Sequence, residues 1–224
     1  MVARHFPDVD PIAEILAGHV RVDGFPVRNP DSRVARDAAI VLRRPEPLAG
    51  EVKLRAALAA FAPAVAGRVA IDVGASAGGF TRVLLEAGAR RVYAVDAGFG
   101  QLLGSLRQDP RVVNLEATNL GALDRALVPE RIELVTIDVS YVALAAAVPQ
   151  LEVLELAADA ELIALVKPMF ELGLDAPPPD DRLPDALARA VAGIARTWRV
   201  TGAIASPVTG HRGAKELLVH ARRV

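Results

Sequence analysis

The sequence predicts an α/β protein: a Rossmann-like, mostly parallel sheet of seven strands whose last strand runs antiparallel, preceded by a small separate segment. Three observations lead there. The stretch Val69-Ala-Ile-Asp-Val-Gly-Ala-Ser-Ala-Gly-Gly-Phe80 reads as a buried-type strand, a tight glycine turn and the start of a helix. From there strand-like apolar runs alternate with helical patterns to the C-terminus. The last two strands follow one another without a helix, which implies an antiparallel hairpin at the sheet edge.

Residues 1–45 read as a unit apart from residues 46–224. Pro11 to Ala17 is a short helix, and Gly18-His-Val-Arg-Val-Asp-Gly24 is a strand entering an Asp-Gly turn. Phe25-Pro-Val-Arg28 and Ala38-Ala-Ile-Val-Leu-Arg43 supply further short strands. After a Pro45-Glu-Pro47 linker, a helix is expected from about Val52 to Phe61. The seven strands of the main domain are Val69 to Val73, Arg91 to Val95, Val112 to Leu115, Leu134 to Val139, Leu162 to Val166, Val200 to Ala205 and Leu217 to Ala221. Ligands of such sheets sit beyond the carboxyl ends of the strands. Pro177-Pro-Pro-Asp-Asp181, expected directly after the fifth strand, is either a lid over that edge or a plain surface connection.

Composition narrows the function classes. The chain has 224 residues, 52% of them apolar and 24% charged, enough for one sizeable core with a small appendage. Mean hydropathy is positive at +0.31, yet no apolar run approaches the roughly 18 to 20 residues of a membrane helix. Asp8 and Asp10 interrupt a start that carries no secretory-signal pattern. The absence of cysteine excludes disulfides and thiolate metal sites and agrees with a cytoplasmic location. Four scattered histidines offer no ligand spacing, so no metal is expected. A net charge of −1 makes any nucleic-acid face a local one.

The glycine turn carries the first chemical signal. Glycines there let a ligand approach the backbone, and Asp96, about 22 residues after Gly74 at the end of the second strand, can accept hydrogen bonds from ribose hydroxyls. The spacing is Gly-x-x-x-Gly-Gly rather than Gly-x-Gly-x-x-Gly. With the acidic Asp72 leading in, it suits a nucleoside bearing an amino acid better than a pyrophosphate, and S-adenosylmethionine is the expected cofactor. Asp72, Gly74, Ala75, Ser76, Gly78, Gly79 and Phe80 are expected around its methionine part, with Asp96 on the ribose. Thr118 and Asn119 are expected near the adenine, Asn119 being equally a helix cap. Ser76 and Tyr141 are further candidates for the site wall, and Trp198 is expected to pack at a helix-strand junction.

The lysines carry the second. Only Lys53, Lys167 and Lys215 are lysines among 26 basic residues, so positive charge here is written as arginine almost everywhere. Lys167 follows the fifth strand and Asp138 ends the fourth, so both point at the cofactor edge. Arginine cannot release its proton, whereas a lysine beside other groups can serve as a base toward a hydroxyl. Asp138 either orients that ammonium or the cofactor's sulfonium, or caps the next helix.

Asp72-Val-Gly-Ala-Ser-Ala-Gly-Gly-Phe80, Tyr93-Ala-Val-Asp-Ala-Gly-Phe-Gly-Gln-Leu102, Leu106-Arg-Gln-Asp-Pro-Arg-Val112, Glu116-Ala-Thr-Asn119, Ile137-Asp-Val-Ser140 and Leu165-Val-Lys-Pro-Met-Phe-Glu171 closely resemble the haemolysin-like TlyA branch of the FtsJ-like rRNA methyltransferases. The resemblance runs from about Lys53 to the C-terminus. It implies a class I S-adenosylmethionine-dependent methyltransferase fold and transfer of a methyl group to a ribose 2'-hydroxyl of rRNA, a cytidine ribose in this branch. It also implies a lysine-aspartate-lysine-glutamate set, which falls on Lys53, Asp138, Lys167 and Glu216. Lys167 would be the base, Asp138 its partner near the methyl group, and Lys53 and Glu216 the positioners of the ribose.

The segment from Ala17 to Leu42 looks like the latter half of the RNA-binding module that precedes this family's catalytic domain, a truncated form without a counterpart of its first helix. Arg21, Arg28, Arg33, Arg43 and Arg44 could contact phosphate there, though Asp23, Asp31 and Asp37 interleave with them. The lead-in Pro47-Leu-Ala-Gly-Glu-Val-Lys53 departs from the family's Ser-Arg-Gly-Gly. His211 beside Arg212 is a further candidate for RNA phosphate. The partner implied is rRNA or a ribosomal subunit. The competing reading is a non-catalytic RNA-binding or ribosome-assembly protein that keeps the fold, and the intact four-residue set speaks against it. A nicotinamide oxidoreductase fails on glycine spacing, and a membrane-active role finds no spanning segment.

Overall fold

A computed structural model describes residues 1–44 and 46–224, the side chain of His211 excepted. Pro45 of the expected linker and the expected phosphate contact of His211 therefore lie outside the described residues. The chain divides into two compact units, Met1–Pro47 and Leu48–Val224.

In the first unit, α1 (Val2–His5) and α2 (Pro11–Leu16) precede a three-stranded antiparallel sheet of β1 (Val20–Val22), β2 (Phe25–Pro26) and β3 (Ile40–Leu42), in the order β2-β1-β3. Asp10 starts α2: its Oδ1 accepts the backbone N–H of Ile12 at 2.9 Å and of Ala13 at 3.2 Å, and Pro11 loses no bond at the first helical position. Asp23 and Gly24, both with positive φ, make the two-residue turn between β1 and β2. Val2, Ile15 and Val20 form its small core. Of the arginines expected on phosphate, Arg44 is paired with Glu14, and Arg21 donates to the Gly24 carbonyl at 3.0 Å.

The second unit begins with α3 (Ala49–Phe61) and continues as β4 (Val69–Val73), α4 (Gly79–Glu86), β5 (Arg91–Val95), α5 (Gly104–Arg107), β6 (Val112–Leu115), β7 (Ile132–Ile137), α6 (Leu144–Ala147), β8 (Leu156–Val166), α7 (Pro168–Leu172), α8 (Leu183–Ile194), β9 (Trp198–Ala205) and β10 (Leu217–Arg223). The seven strands form one sheet in the order β6-β5-β4-β7-β8-β10-β9. Pairs among β4 to β8 are parallel, while β10 runs antiparallel to both neighbours, β8 and β9. The α/β class and the antiparallel last strand thus match expectation. The final hairpin folds back so that β10 fills the gap beside β8 and β9 becomes the edge.

Alternation along the strands builds two cores. Ile71, Val135 and Leu162 face α6 and α8 with Leu144, Ala190 and Ile194, and Ala70, Leu134 and Ile163 face α3 and α4 with Leu54, Phe80 and Leu84. Trp198 opens β9 in the first of these cores and is 1% exposed, a packing residue as expected.

Boundaries differ where local cues are weak. The first helix of the unit starts at Ala49, a turn earlier than expected, because Glu51 at its third position reaches back toward the Leu48 N–H, 3.4 Å away. The fourth strand ends at Ile137, leaving Asp138 on the departing loop, and the fifth already begins at Leu156. Pro177-Pro-Pro-Asp-Asp181 does not follow the fifth strand directly. Pro168 starts α7 immediately after Lys167 and pushes that segment further along the chain. Among the described residues, no helix is long and apolar enough to cross a membrane.

The chain runs outward from β4 through β5 to β6 and then returns to β7 on the other flank of β4. This reversal opens a crevice beyond the carboxyl ends of β4 and β7. Gly74 and Asp138 stand there.

Candidate active site

The glycine turn is pinned from below. The N–H groups of Gly74 and Ala75 both donate to the Val95 carbonyl, at 2.8 and 3.0 Å. Gly74 has φ +86°, and a Cβ there would lie 2.4 Å from the Asp138 carbonyl oxygen. Only glycine lets the ends of β4 and β7 come this close. Asp138 returns the contact, its N–H donating to Val73 at 2.9 Å. Gly78 serves packing instead, because a Cβ on it would meet Leu106 at 2.2 Å.

Asp96, just past β5, accepts the Ser76 N–H on Oδ2 at 2.8 Å and the Gly98 N–H on Oδ1 at 2.7 Å. Each carboxylate oxygen keeps a lone pair, and the group lines a cavity of about 250 Å³ with Gly74, Gln101, Thr118, Leu120 and Tyr141. An anion at this rim with both oxygens fixed by backbone donors suits a diol of ribose. The cleft continues past Gly74, Ser76 and Asp138 into a space of about 560 Å³ reached by Lys53, Lys167, Met169, Phe170, Thr209 and Glu216. The cleft therefore has an acidic rim, a glycine floor and an open side toward the lysines. Ala75, Gly79 and Phe80 border the same cleft from the α3 side.

Asp72 is placed differently from expectation. It is fully buried, with Thr81 Oγ1 donating to Oδ2 at 2.7 Å and Thr136 Oγ1 to Oδ1 at 2.9 Å. Alternation turns its side chain toward α4, so it braces the turn from beneath rather than meeting a ligand. Burial pushes its carboxyl up to about 6, against the two threonine hydroxyls that favour the charged form. Asn119 is exposed and occupies the cap position of the short 3₁₀ turn Leu120–Ala122, with no side-chain cap bond among the described residues.

The four remaining candidates meet. Asp138 stands between two lysines, with Oδ1 2.6 Å from Lys167 Nζ and Oδ2 3.3 Å from Lys53 Nζ. Lys53 Nζ also lies 2.8 Å from Glu216 Oε2. Three of the residues come from the loop after β7, the end of β8 and the residue before β10, which the sheet order brings together, and the packing of α3 adds Lys53. Their side chains are 5 to 18% exposed, and two cations beside two carboxylates make the set compatible with that depth. Burial opposes the Lys53 ammonium, but Asp138 and Glu216 outweigh it and hold its pKa above the usual lysine value. Lys53 is thus a fixed charge.

Ser140 joins the site without having been expected there. Lys167 Nζ donates to its Oγ at 2.6 Å, so Lys167 is held by a carboxylate and a hydroxyl together. The signal is present in the sequence, since Ser140 lies two residues past Asp138 and an extended chain puts both on one side. Gln101, which accepts from Ser76 Oγ at 3.2 Å, is a second unexpected member, because the turn that delivers it has no periodicity. Glu171 supports the lysine indirectly: its buried carboxylate accepts the Leu144 N–H at 2.8 Å, tying α7 to the start of α6. Among the described residues, no group of three or more histidines and carboxylates is arranged for a metal ion.

Comparison with known proteins agrees with this geometry. The FtsJ-like methyltransferase family matches residues 50–223. The Mycobacterium tuberculosis 16S/23S rRNA (cytidine-2'-O)-methyltransferase TlyA is 42% identical over 222 residues, 94% of this chain and 82% of that protein. Hemolysin A of Brachyspira hyodysenteriae is 36% identical over 165 residues, covering 70% of this chain and 66% of its own. Among solved structures, a Streptococcus thermophilus protein provisionally described as a hemolysin superposes with a TM-score of 0.75 at 32% identity, over 95% of this chain and 81% of that one. The fibrillarin/Nop5p complex, at 15% identity and a TM-score of 0.58 over 80% of this chain and 84% of that one, shares the fold.

Proposed function

The chain belongs to the FtsJ-like methyltransferase family, and from that premise we propose that it is an S-adenosylmethionine-dependent RNA 2'-O-methyltransferase acting on a cytidine ribose of ribosomal RNA. The observation that carries the reading is Asp138 held between Lys53 and Lys167, with Glu216 closing the set on Lys53. The relative named for 16S/23S rRNA cytidine methylation supports the substrate.

S-adenosylmethionine, when bound, supplies a methyl group on a positively charged sulfur. Asp96 and the Gly74 to Gly79 turn would hold it, with Thr118 toward the adenine. The remaining work is positioning and one proton. Lys53, a fixed cation, holds the ribose oxygens and is itself steadied by Glu216. Lys167, aimed by Asp138 and Ser140, would first release its ammonium proton to solvent at the open side of the cleft and then, as the free amine, take the proton of the 2'-hydroxyl as that oxygen receives the methyl group. The proton then passes to solvent at the open side of the cleft. In-line alignment accounts for most of the expected acceleration.

In the first unit Arg28, Arg33 and Arg43 are exposed and have no ion pair among the described residues. With Arg4 and Arg36, likewise exposed and without an ion pair among the described residues, they are available to meet phosphate.

The test is transfer of labelled methyl from S-adenosylmethionine to unmodified rRNA and to assembled ribosomal subunits, comparing the native chain with Lys167→Ala at matched cofactor binding. The expected result is a 2'-O-methylated cytidine whose formation the variant loses. Cofactor binding without transfer to any RNA form overturns the proposal in favour of a non-catalytic RNA-binding or assembly role.

A further inference from the structure

Resting on the reading above, we infer that Glu51 and Arg82 are positioning residues: their ion pair, buried at Glu51 and half-buried at Arg82, locks the helix carrying Lys53 to the helix opened by the glycine turn, and so sets Lys53 relative to the cofactor site. Glu51 lies on α3 and is 5% exposed, with Oε1 2.7 Å from Arg82 Nη1 on α4. The two helices touch backbone to backbone at this point. A Cβ on Gly79 would be 2.9 Å from the Gly50 Cα and from the Glu51 nitrogen, and a Cβ on Gly50 would be 3.3 Å from the Gly79 Cα. Gly79 is the last residue of the turn and the first of α4, so any shift of the turn is felt by α3 directly.

Glu51 and Lys53 project roughly 200° apart around a helix, so the first turn of α3 is gripped on two sides. One side is the pair with Arg82 and the other is the Lys53 pair with Asp138 and Glu216. Together they fix both the translation and the rotation of the helix. The long contact of Glu51 with the Leu48 N–H would be served equally by a glutamine, and a residue whose only task was packing would not need a carboxylate at 5% exposure, because an unpaired charge there is costly. Arg55 also joins the two helices, pairing with Glu86 and lying 3.8 Å from Glu51, but its side chain is 52% exposed and solvent screens both contacts. Since a misplacement of about 1 Å can cost on the order of 10²-fold in rate, a loosened α3 is expected to lower turnover more than cofactor binding.

The test uses the full chain with Arg82→Gln, Arg82→Lys, Glu51→Gln, the double variant and Arg55→Gln. Cofactor Kd is read by calorimetry, single-turnover transfer at saturating cofactor and RNA, and Lys53 through lysine-selective ¹³C NMR, which has only three residues to resolve. Arg82→Gln and Glu51→Gln are expected to slow transfer about tenfold with Kd within about twofold, and the double variant to fall no further than either single one. Arg82→Lys should recover part of the loss, and Arg55→Gln should change transfer by less than about twofold. In the spectra, Arg82→Gln should move the Lys53 resonance and leave Lys215 in place, although among the described residues Arg82 and Lys53 share no ion-pair partner. An unmoved Lys53 resonance overturns the inference, as do additive losses in the double variant or equal losses in Kd and rate. If the native chain transfers no methyl group at all, the functional reading fails on its own, and the Lys53 resonance still decides the inference.

Discussion

Lys53 on the first helix of the catalytic unit and Glu216 ahead of its last strand form a buried ion pair, Nζ 2.8 Å from Oε2. The pair closes the unit's sequence ends over the site and leaves Asp138 to serve Lys167 at the shorter distance, 2.6 Å against 3.3 Å. Glu216→Gln removes that division. Lys53 then draws on Asp138 alone, and both lysines compete for one carboxylate. Transfer is expected to fall on the order of 10²-fold, with a stability loss of about 1–3 kcal/mol from breaking a buried charge pair that retains one partner. Single-turnover rates and urea unfolding measure the two; an unchanged rate contradicts the role.

Asp96→Asn should act on the cofactor and little else. Both aspartate oxygens accept backbone N–H groups, so an amide must turn its NH₂ toward one of those donors. Cofactor affinity is expected to drop by about 1.5–3 kcal/mol, roughly 10- to 100-fold in Kd. Calorimetry with S-adenosylmethionine reads this directly, and transfer at saturating cofactor should stay within several-fold of native. An unaltered Kd would remove Asp96 from the cofactor site.

Gly74→Ala tests the close approach of β4 and β7. The new Cβ would lie 2.4 Å from the Asp138 carbonyl, at φ +86°. Asp138 must move, and its two lysines with it. A destabilisation of about 1–3 kcal/mol and at least about 10²-fold slower transfer are expected. Full activity in this variant would show that the crevice tolerates a displacement the geometry forbids.

Asp72 predicts a pH signature. Its folded-state carboxyl is raised to about 6 from an ordinary 3.8. Over that interval the folded chain keeps a proton that the unfolded chain has released. The group's contribution is therefore complete below about pH 4 and declines as pH rises through about 6, by about 3 kcal/mol in all. Asp72→Asn has no such proton, so the stability difference between native chain and variant should move toward the variant by up to that amount between pH 4 and 7. Denaturation at a series of pH values measures it, and a difference constant with pH counts against the assignment.

Much of the site is legible in the order of residues alone. The strand, glycine turn and acidic second-strand end announce a nucleoside cofactor because backbone approach requires glycine and ribose requires an acceptor. The scarcity of lysine draws attention to Lys53, Lys167 and Lys215, and the family resemblance selects the first two, which the fold brings to opposite oxygens of Asp138. Asp72 departs from its expected place because adjacency to the turn does not reveal which way a strand residue points, and the pleat turns it onto Thr81. Ser140 and Gln101 lie inside stretches that carry the resemblance, and Glu51 just ahead of Lys53, but nothing local to them shows which side chain each will meet.

What the sequence determined by itself was the order of strands and helices, the kind of cofactor turn and the residue types able to handle a hydroxyl proton, since these depend on periodicity, conformational freedom and side-chain chemistry within a few positions. The tertiary structure decided the rest: that β10 fills the place beside β8, that Glu216 thereby reaches Lys53, that Asp138 divides between two lysines, and that Glu51 finds Arg82. Those are contacts between distant parts of the chain. Their geometry is set by how two buried faces of one sheet pack, a constraint that belongs to the whole fold and to no local stretch of it.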